Sequence, residues 1–177
     1  RQVSGIAQQR NDAGTTSTRK QVKMRPAILW VSLFLLPTSD PYAQEAGDQL
    51  FDTDQVVELR LTFQDPDHWT TLSLNHFAGD ETYLPAAVEI VDNSGTYFLD
   101  SVGVRWKGNS SFDFYPTSKK PMKLDFNHFI RGQDYHGLKK LNLNNCWSDP
   151  TFMREKTFFD VSREQGVHAP RMNYANV

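Results

Sequence analysis

The sequence is poor in cysteine and carries no strong excess of either charge. Its 177 residues include a single cysteine, Cys146, which excludes an intramolecular disulfide and any zinc site built from several cysteines. We interpret Cys146 as a half-buried packing thiol, because free cysteine is among the most buried residue types. The formal net charge is only -2, with lysine and arginine dispersed among acidic residues. Nucleic acid polymers and anionic membranes are therefore poor candidates for its partners.

Self-sufficient catalytic motifs are also missing. The sequence has no Walker loop, no dinucleotide-binding glycine triplet, no nucleophile elbow and no zinc-protease pair of histidines. Its five histidines show no i, i+4 spacing, so we interpret them as surface or hydrogen-bonded residues rather than metal ligands. The sequence therefore predicts no metal site, and the absence of these motifs argues against a simple hydrolase.

No apolar run is long enough for a transmembrane helix. The longest run, residues 26–36, would rise about 16 Å as a helix, roughly half the thickness of the hydrocarbon core. It follows Arg25 and precedes a polar stretch, which predicts a secretory signal peptide over residues 24–46 with cleavage near Ala43. We therefore expect export to the cell envelope or the medium, with no stable membrane anchor. Residues 1–23 are interpreted as a non-native or upstream segment outside the fold.

Beyond residue 46 the apolar pattern alternates between the periods of strands and helices. Alternation with a period of two predicts strands at residues 55–63, 83–91, 96–106, 119–126 and 138–143. Residues 92–95 between the second and third of these strands are typical of a hairpin. Since the links are mostly short, we expect an antiparallel, meandering sheet.

Two helices are predicted beside this sheet. The first is short and covers residues 65–74, and the second runs from Ser148 or Asp149 to about Gln165, with Gly166 as its stop. The apolar stripe expected to pack this long helix on the sheet comprises Phe152, Met153, Phe159 and Val161. A further strand is predicted at residues 169–177, where the sequence ends before a closing hairpin, so we expect an incomplete α+β domain.

The string GVRWKGNSSF at residues 103–112 has the composition of a phosphate-binding loop. Arg105 and Lys107 provide positive charge, and Gly108 permits close approach of the backbone. Ser110 and Ser111 add hydrogen-bond donors. A solvated hairpin end is the alternative interpretation, and the loop alone does not decide between them.

Five strings in series resemble the spore coat protein H (CotH) kinase family. They are LFDTDQVVELRLTF, GVRWKGNSSF, KKPMKLDF, GLKKLNLNN and DPTFMREKTFFDVSREQGVHAPR, and their order and spacing agree with the family over about residues 50–177. The resemblance implies the small lobe of a diverged protein-kinase-like fold, with residues 47–177 as the N-terminal part of the domain. It also implies export and phosphorylation of protein targets rich in serine or threonine, with ATP and a divalent metal, Mg or Mn, as cofactors.

The resemblance also implies roles for particular residues. A strand lysine of such a lobe contacts the nucleotide phosphates and is held by a helix glutamate. Lys123 and Glu155 are the candidates, Lys140 is the alternative to Lys123, and an ordinary surface ion pair is the other interpretation. The phosphate-facing loop would consist of Arg105, Lys107, Ser110 and Ser111. For Asn142, Asn144 and Asn145 we favour a structural role over a direct part in the site.

Catalytic residues are not identified, because the family's catalytic acid and metal-binding carboxylates lie beyond the position of Val177. We therefore expect this chain alone to be inactive. Two functions remain open. The first is an exported atypical protein kinase acting on serine or threonine of coat, envelope or secreted proteins. The second is a noncatalytic surface, scaffold or spore-coat-type structural protein that has a kinase-like fold.

Overall fold

The structure, a computed structural model, describes residues 3–7, 45–52, 54–113 and 118–177. The predicted signal peptide at residues 24–46 lies almost entirely outside the described residues and stays a prediction. Within the described ranges, no helix combines the length and apolar character needed to cross a membrane. All helices and strands of the structure belong to the compact unit formed by residues 1–10 and 46–177.

The described residues form seven strands and three helices. The strands are β1 (Val3–Ala7), β2 (Val57–Phe63), β3 (Leu84–Asp92), β4 (Gly95–Trp106), β5 (Met122–Asp125), β6 (Lys140–Asn144) and β7 (Met172–Asn176). The helices are α1 (His68–Phe77), α2 (Ser110–Asp113) and α3 (Arg154–Glu164). A short 3-10 turn spans Asp48–Phe51.

Strands β2 to β6 form an antiparallel meander in chain order. This part of the sheet confirms the five strands predicted from the alternation of apolar residues. The predicted hairpin between β3 and β4 is also confirmed. Its turn is held by the Asp92 carboxylate, which accepts hydrogen bonds from the backbone N–H of Ser94 at 2.7 Å and of Gly95 at 3.1 Å.

The predicted fold class is wrong, because the sheet closes into a barrel instead of forming the open sheet of an α+β small lobe. The strand order is β1-β6-β5-β4-β3-β2-β7, with β7 returning to β1. Strand β7 is parallel to β2 and antiparallel to β1. Closure joins strands that are far apart in the sequence, and local periodicity carries no information about such pairs.

The long helix does not pack as predicted. It begins at Arg154 rather than at residue 148 or 149 and has no buried residue. Met153 and Phe158, near its first turns, are 59% and 66% exposed. The inward side chains of the strands, together with Leu72 of α1 and Phe112 of α2, already form the core of the barrel, and no residue of α3 belongs to it. The predicted C-terminal stop is confirmed, since Gly166 follows the helix with a φ of 74°.

Strand β1 lies within residues 1–23, which were predicted from the sequence to lie outside the fold. The structure places it in the barrel wall between β6 and β7, with Ile6 fully buried. Three apolar residues in a polar context give little signal for a strand. The inward side chains of the strands form one continuous core that includes Val57, Leu59, Val88, Ile90, Val104, Leu124, Leu141 and Leu143.

Candidate functional site

Three polar side chains lie in one row across the outer face of the barrel. Arg105 on β4 is opposite Lys123 on β5, and Lys123 is opposite Asn142 on β6. Their sequence neighbours Val104 and Leu124 are fully buried in the core. Because side chains alternate along a strand, the row faces away from the core. The register therefore brings two of the predicted phosphate-binding cations side by side.

A cleft of about 360 Å³ lies beside this row. Lys107 follows β4, Asn144 ends β6, and Glu155 lies in the first turn of α3. The residues that line the cleft are Lys107, Ser111, Pro121, Asn144, Asn145, Cys146, Trp147 and Glu155. Two loop residues and the helix glutamate that the sequence singled out therefore share one cavity.

The two half-buried charges of the cleft are linked by an asparagine. Lys107 Nζ donates a 2.6 Å hydrogen bond to Asn144 Oδ1, and Asn144 Nδ2 donates one of 2.6 Å to Glu155 Oε1. Burial lowers the pKa of Lys107, the positive charges of Lys123 and Arg105 lower this pKa further, and Glu155 opposes the shift. These interactions require all four charges to lie close together.

Burial raises the pKa of Glu155, with Lys107 and the Asn144 hydrogen bond opposing that shift. In both charged groups the cost of removing the ionised form from water exceeds what the partners return. In the hydrogen-bonded network of Lys107, Asn144 and Glu155, neither charge is fully compensated by its partners. Such perturbed pKa values are typical of functional sites.

Arg105 and Lys123 retain unused hydrogen-bonding capacity. Arg105 forms a 3.0 Å ion pair with Glu81, but its buried Nε atom has no hydrogen-bond partner. Its guanidinium also lies 5.4 Å from the centre of the Tyr83 ring. The Lys123 side chain makes no hydrogen bond or ion pair with any residue of the described ranges. The outer face therefore offers the positive charge of Lys123, which is not paired with an acidic side chain of the described residues.

The loop after β4 is shorter than its sequence suggested, because residues 110–113 form α2. Gly108 has a φ of 79°, and a Cβ atom there would clash with Ser111 Oγ. Ser111 lines the cleft, whereas Ser110 is exposed on α2 and does not. Asn145 has the structural role favoured from the sequence, since its buried Nδ2 atom donates to the carbonyl oxygens of Ser111 and Lys119.

The structure connects Glu155 to a different lysine from the one expected. The glutamate reaches Lys107 through Asn144, not Lys123 on the neighbouring strand. Neither Lys123 nor the alternative, Lys140, lines the cleft, and Lys140 forms a 3.2 Å ion pair with Asp125. For Asn144 a structural role was favoured from the sequence over a direct part in the site, although its alternation in LNLNN places it on the outer face.

The exposed Trp147 also lines the cleft, and no pattern in the sequence indicated it. Cys146 is half-buried there, as predicted, and burial raises the pKa of its thiol. In the part of the chain that the structure describes, no group of three or more His, Cys, Asp or Glu side chains could hold a metal ion.

Comparison with known proteins identifies a family for the part of the chain that contains the site. Residues 104–177 match the family model described as CotH kinase protein. No curated protein and no solved structure matches the chain significantly. The matched segment runs from the end of β4 to β7 and contains every candidate site residue. The region that carries the site is thus CotH-kinase-like, which confirms the resemblance seen in its sequence strings.

Proposed function

We propose that the outer basic face and its cleft hold the phosphates of a nucleotide in an exported CotH-type protein kinase. The observation that carries the proposal is the convergence of Arg105, Lys107 and Lys123 on one face, with Lys123 and the Arg105 Nε unpaired within the described residues. An unpaired lysine and an unsatisfied guanidinium N–H beside a cavity favour an anionic ligand such as a polyphosphate. A cavity of about 360 Å³ is also within the size range of small-molecule sites.

The residues present fit the phosphate part of the implied cofactor. Lys123 and Arg105 would bind phosphate oxygens, and the Asn144 bridge would fix Lys107 and Glu155 relative to them. ATP bound there would supply the phosphoryl group. For the metal, the described residues provide no dedicated ligand set, and Mg²⁺ in nucleotide sites is commonly held by one or two carboxylates together with the phosphates themselves. We propose that the protein's reaction is phosphorylation of serine or threonine in secreted, coat or envelope proteins.

Nucleotide binding is tested by titrating the chain with ATP and, separately, with adenosine, each with and without Mg²⁺. Trp147 lines the cleft, so its fluorescence reports occupancy, and a Trp147→Phe variant identifies its contribution. We expect binding of ATP but not of adenosine. At a ligand concentration of 100 times Kd, a thermal shift equivalent to about 2.7 kcal/mol should accompany binding.

Lysine variants locate the site. Lys123→Met and Lys107→Met should each weaken ATP binding by about tenfold or more, because each removes a charge-assisted contact to phosphate. Lys140→Met should bind ATP normally, because Lys140 is paired with Asp125 outside the cleft. Lys139→Met, at an exposed position, controls for the loss of one surface charge. Equal effects at all four positions, or no ATP binding at all, would contradict the proposal and favour the noncatalytic scaffold.

A further inference from the structure

The loop between α1 and β3 carries a carboxylate to the outer face of the barrel. Leu84, the first residue of β3, is paired with Val104, so the end of this loop runs beside Arg105. Glu81 of the loop forms the 3.0 Å ion pair with Arg105 Nη2. One cation of the proposed phosphate site is therefore already in contact with an acidic side chain of the protein.

Glu81 fills only part of the hydrogen-bonding edge of Arg105. A guanidinium binds an oxyanion most strongly through two parallel N–H groups, and Nε and Nη2 form one such pair. Glu81 contacts Nη2, whereas the Nε atom beside it is buried without a hydrogen-bond partner. The third nitrogen, Nη1, donates a 3.4 Å hydrogen bond to the carbonyl oxygen of Trp106. A phosphate that bound both Nε and Nη2 would have to replace Glu81.

The two partners of this ion pair differ in how firmly they are held. The Arg105 side chain is only 16% exposed, and its guanidinium lies 5.4 Å from the centre of the Tyr83 ring. The Glu81 side chain is 77% exposed and has no second hydrogen bond or ion pair within the described ranges. The turn of the loop is closed by Asp80, whose Oδ1 accepts hydrogen bonds from the N–H and the hydroxyl of Thr82. Glu81 can therefore leave by side-chain rotation, while Arg105 and the loop backbone stay in place.

We propose that Glu81 is an internal competitor for the phosphate site, which occupies Arg105 when the site is empty and is displaced when the phosphate of an anionic ligand binds. This inference rests on the proposed function, because it gives Glu81 a regulatory role at the same site. An exposed ion pair is weak enough for a multiply charged phosphate to displace it. The competition nevertheless lowers the affinity of the site for every anion that binds Arg105.

Isothermal titration calorimetry of the whole chain with inorganic tripolyphosphate, and with ATP in the absence of Mg²⁺, tests this competition. At low ionic strength Glu81→Gln should tighten the binding of both ligands by about two- to fivefold, the range expected for release of an exposed ion pair. Glu89→Gln is the matched control, because it removes an exposed carboxylate of β3 that also pairs with an arginine, Arg60. This control should leave both affinities nearly unchanged.

A second background shows whether Glu81 acts through Arg105. In Arg105→Met the gain from Glu81→Gln should fall to about half or less, because no guanidinium remains to be released. Three outcomes would overturn the competitor role. They are an unchanged affinity of Glu81→Gln while Lys123→Met weakens binding, an equal gain in both backgrounds, and weaker binding by Glu81→Gln, which would make Glu81 part of the binding site. If neither wild type nor Glu81→Gln bound either ligand, the proposed phosphate site itself would be wrong as well.

Discussion

At the scale of single residues, Asn144 determines how the two half-buried charges of the cleft interact. An amide offers an acceptor to the Lys107 ammonium and a donor to the Glu155 carboxylate, so one side chain satisfies both. A direct Lys107–Glu155 pair would bring the two charges closer together and compensate both more fully. The bridge instead leaves the pKa of Lys107 lowered and that of Glu155 raised. The charges of Lys107 and Glu155 therefore remain partly available to interact with a ligand.

This arrangement predicts a characteristic pH dependence of stability for Glu155. Burial raises its pKa in the folded state above the usual value of 4.5, so the folded protein binds this proton more tightly than the unfolded chain does. The free energy of unfolding should therefore rise as the pH falls from 7 through the raised pKa, and this gain should be complete below 4.5. The Glu155→Gln variant has no titratable carboxyl group at this position and should not show this increase in stability.

Urea unfolding of wild type and Glu155→Gln between pH 7 and pH 4 measures the effect. The difference in unfolding free energy, wild type minus variant, should increase toward acid pH. Glu164→Gln, on the same helix but exposed, is the matched control. A Glu155→Gln difference that stays constant or shrinks on acidification would contradict the burial of this carboxylate beside Lys107.

At the scale of elements, α3 serves the site more than the core. Its start is fixed by Asp149, whose Oδ2 accepts a 2.7 Å hydrogen bond from the Arg154 N–H, and this places Glu155 in the first turn beside the cleft. Its apolar side chains remain largely exposed, with Phe158 at 66%. The helix therefore contributes a carboxylate to the site and little apolar burial to the core.

Two substitutions distinguish a positioning helix from a core helix. Phe158→Ser should change the unfolding free energy by less than about 0.5 kcal/mol, because the side chain is mostly in water already. Leu124→Ala, on β5 in the barrel interior, should cost about 2–5 kcal/mol through lost burial and a cavity. Chemical denaturation measures both. If Phe158→Ser lowered the unfolding free energy as much as Leu124→Ala does, α3 would be packed on the sheet as predicted from the sequence.

At the scale of the whole molecule, the barrel has one weak seam. Strands β2 and β7 pair in parallel over only two residue pairs, Val57↔Ala175 and Glu58↔Asn176. By contrast, β3 and β4 pair along most of their length, from Leu84↔Val104 to Asp92↔Gly95. Because opening free energies follow the extent of local pairing and packing, the barrel should open first at the β2–β7 seam.

Amide hydrogen exchange measures this difference residue by residue. Amides of β2 and β7 that donate across the seam should exchange at least about tenfold faster than the hydrogen-bonded amides in the middle of β3 and β4. The β3–β4 pair serves as the internal reference within the same sample. Uniformly slow exchange across the seam would mean that the barrel opens only as one cooperative unit.

Much of the local structure could be predicted because it depends on neighbouring residues. Alternation of apolar residues identified β2 to β6, the Asp92–Gly95 turn identified the hairpin, and Gly166 marked the end of α3. The basic loop residues Arg105 and Lys107 were recognised from composition, and register then placed Lys123 beside Arg105. The prediction that α3 packs on the sheet was wrong, because amphipathic periodicity shows which residues share a face but not which element that face contacts.

The amino-acid sequence alone determined the strand-forming segments, the cations of the candidate site and the likeness to the CotH kinase family, since each of these depends on the identity and spacing of nearby residues. The tertiary structure alone decided that the sheet closes, that Val3–Ala7 lies between β6 and β7, and that Asn144 joins Lys107 to Glu155. The physical reason is that these features are contacts between residues far apart in the chain. Such contacts are selected by the total burial and hydrogen bonding of the folded molecule, which no local pattern records.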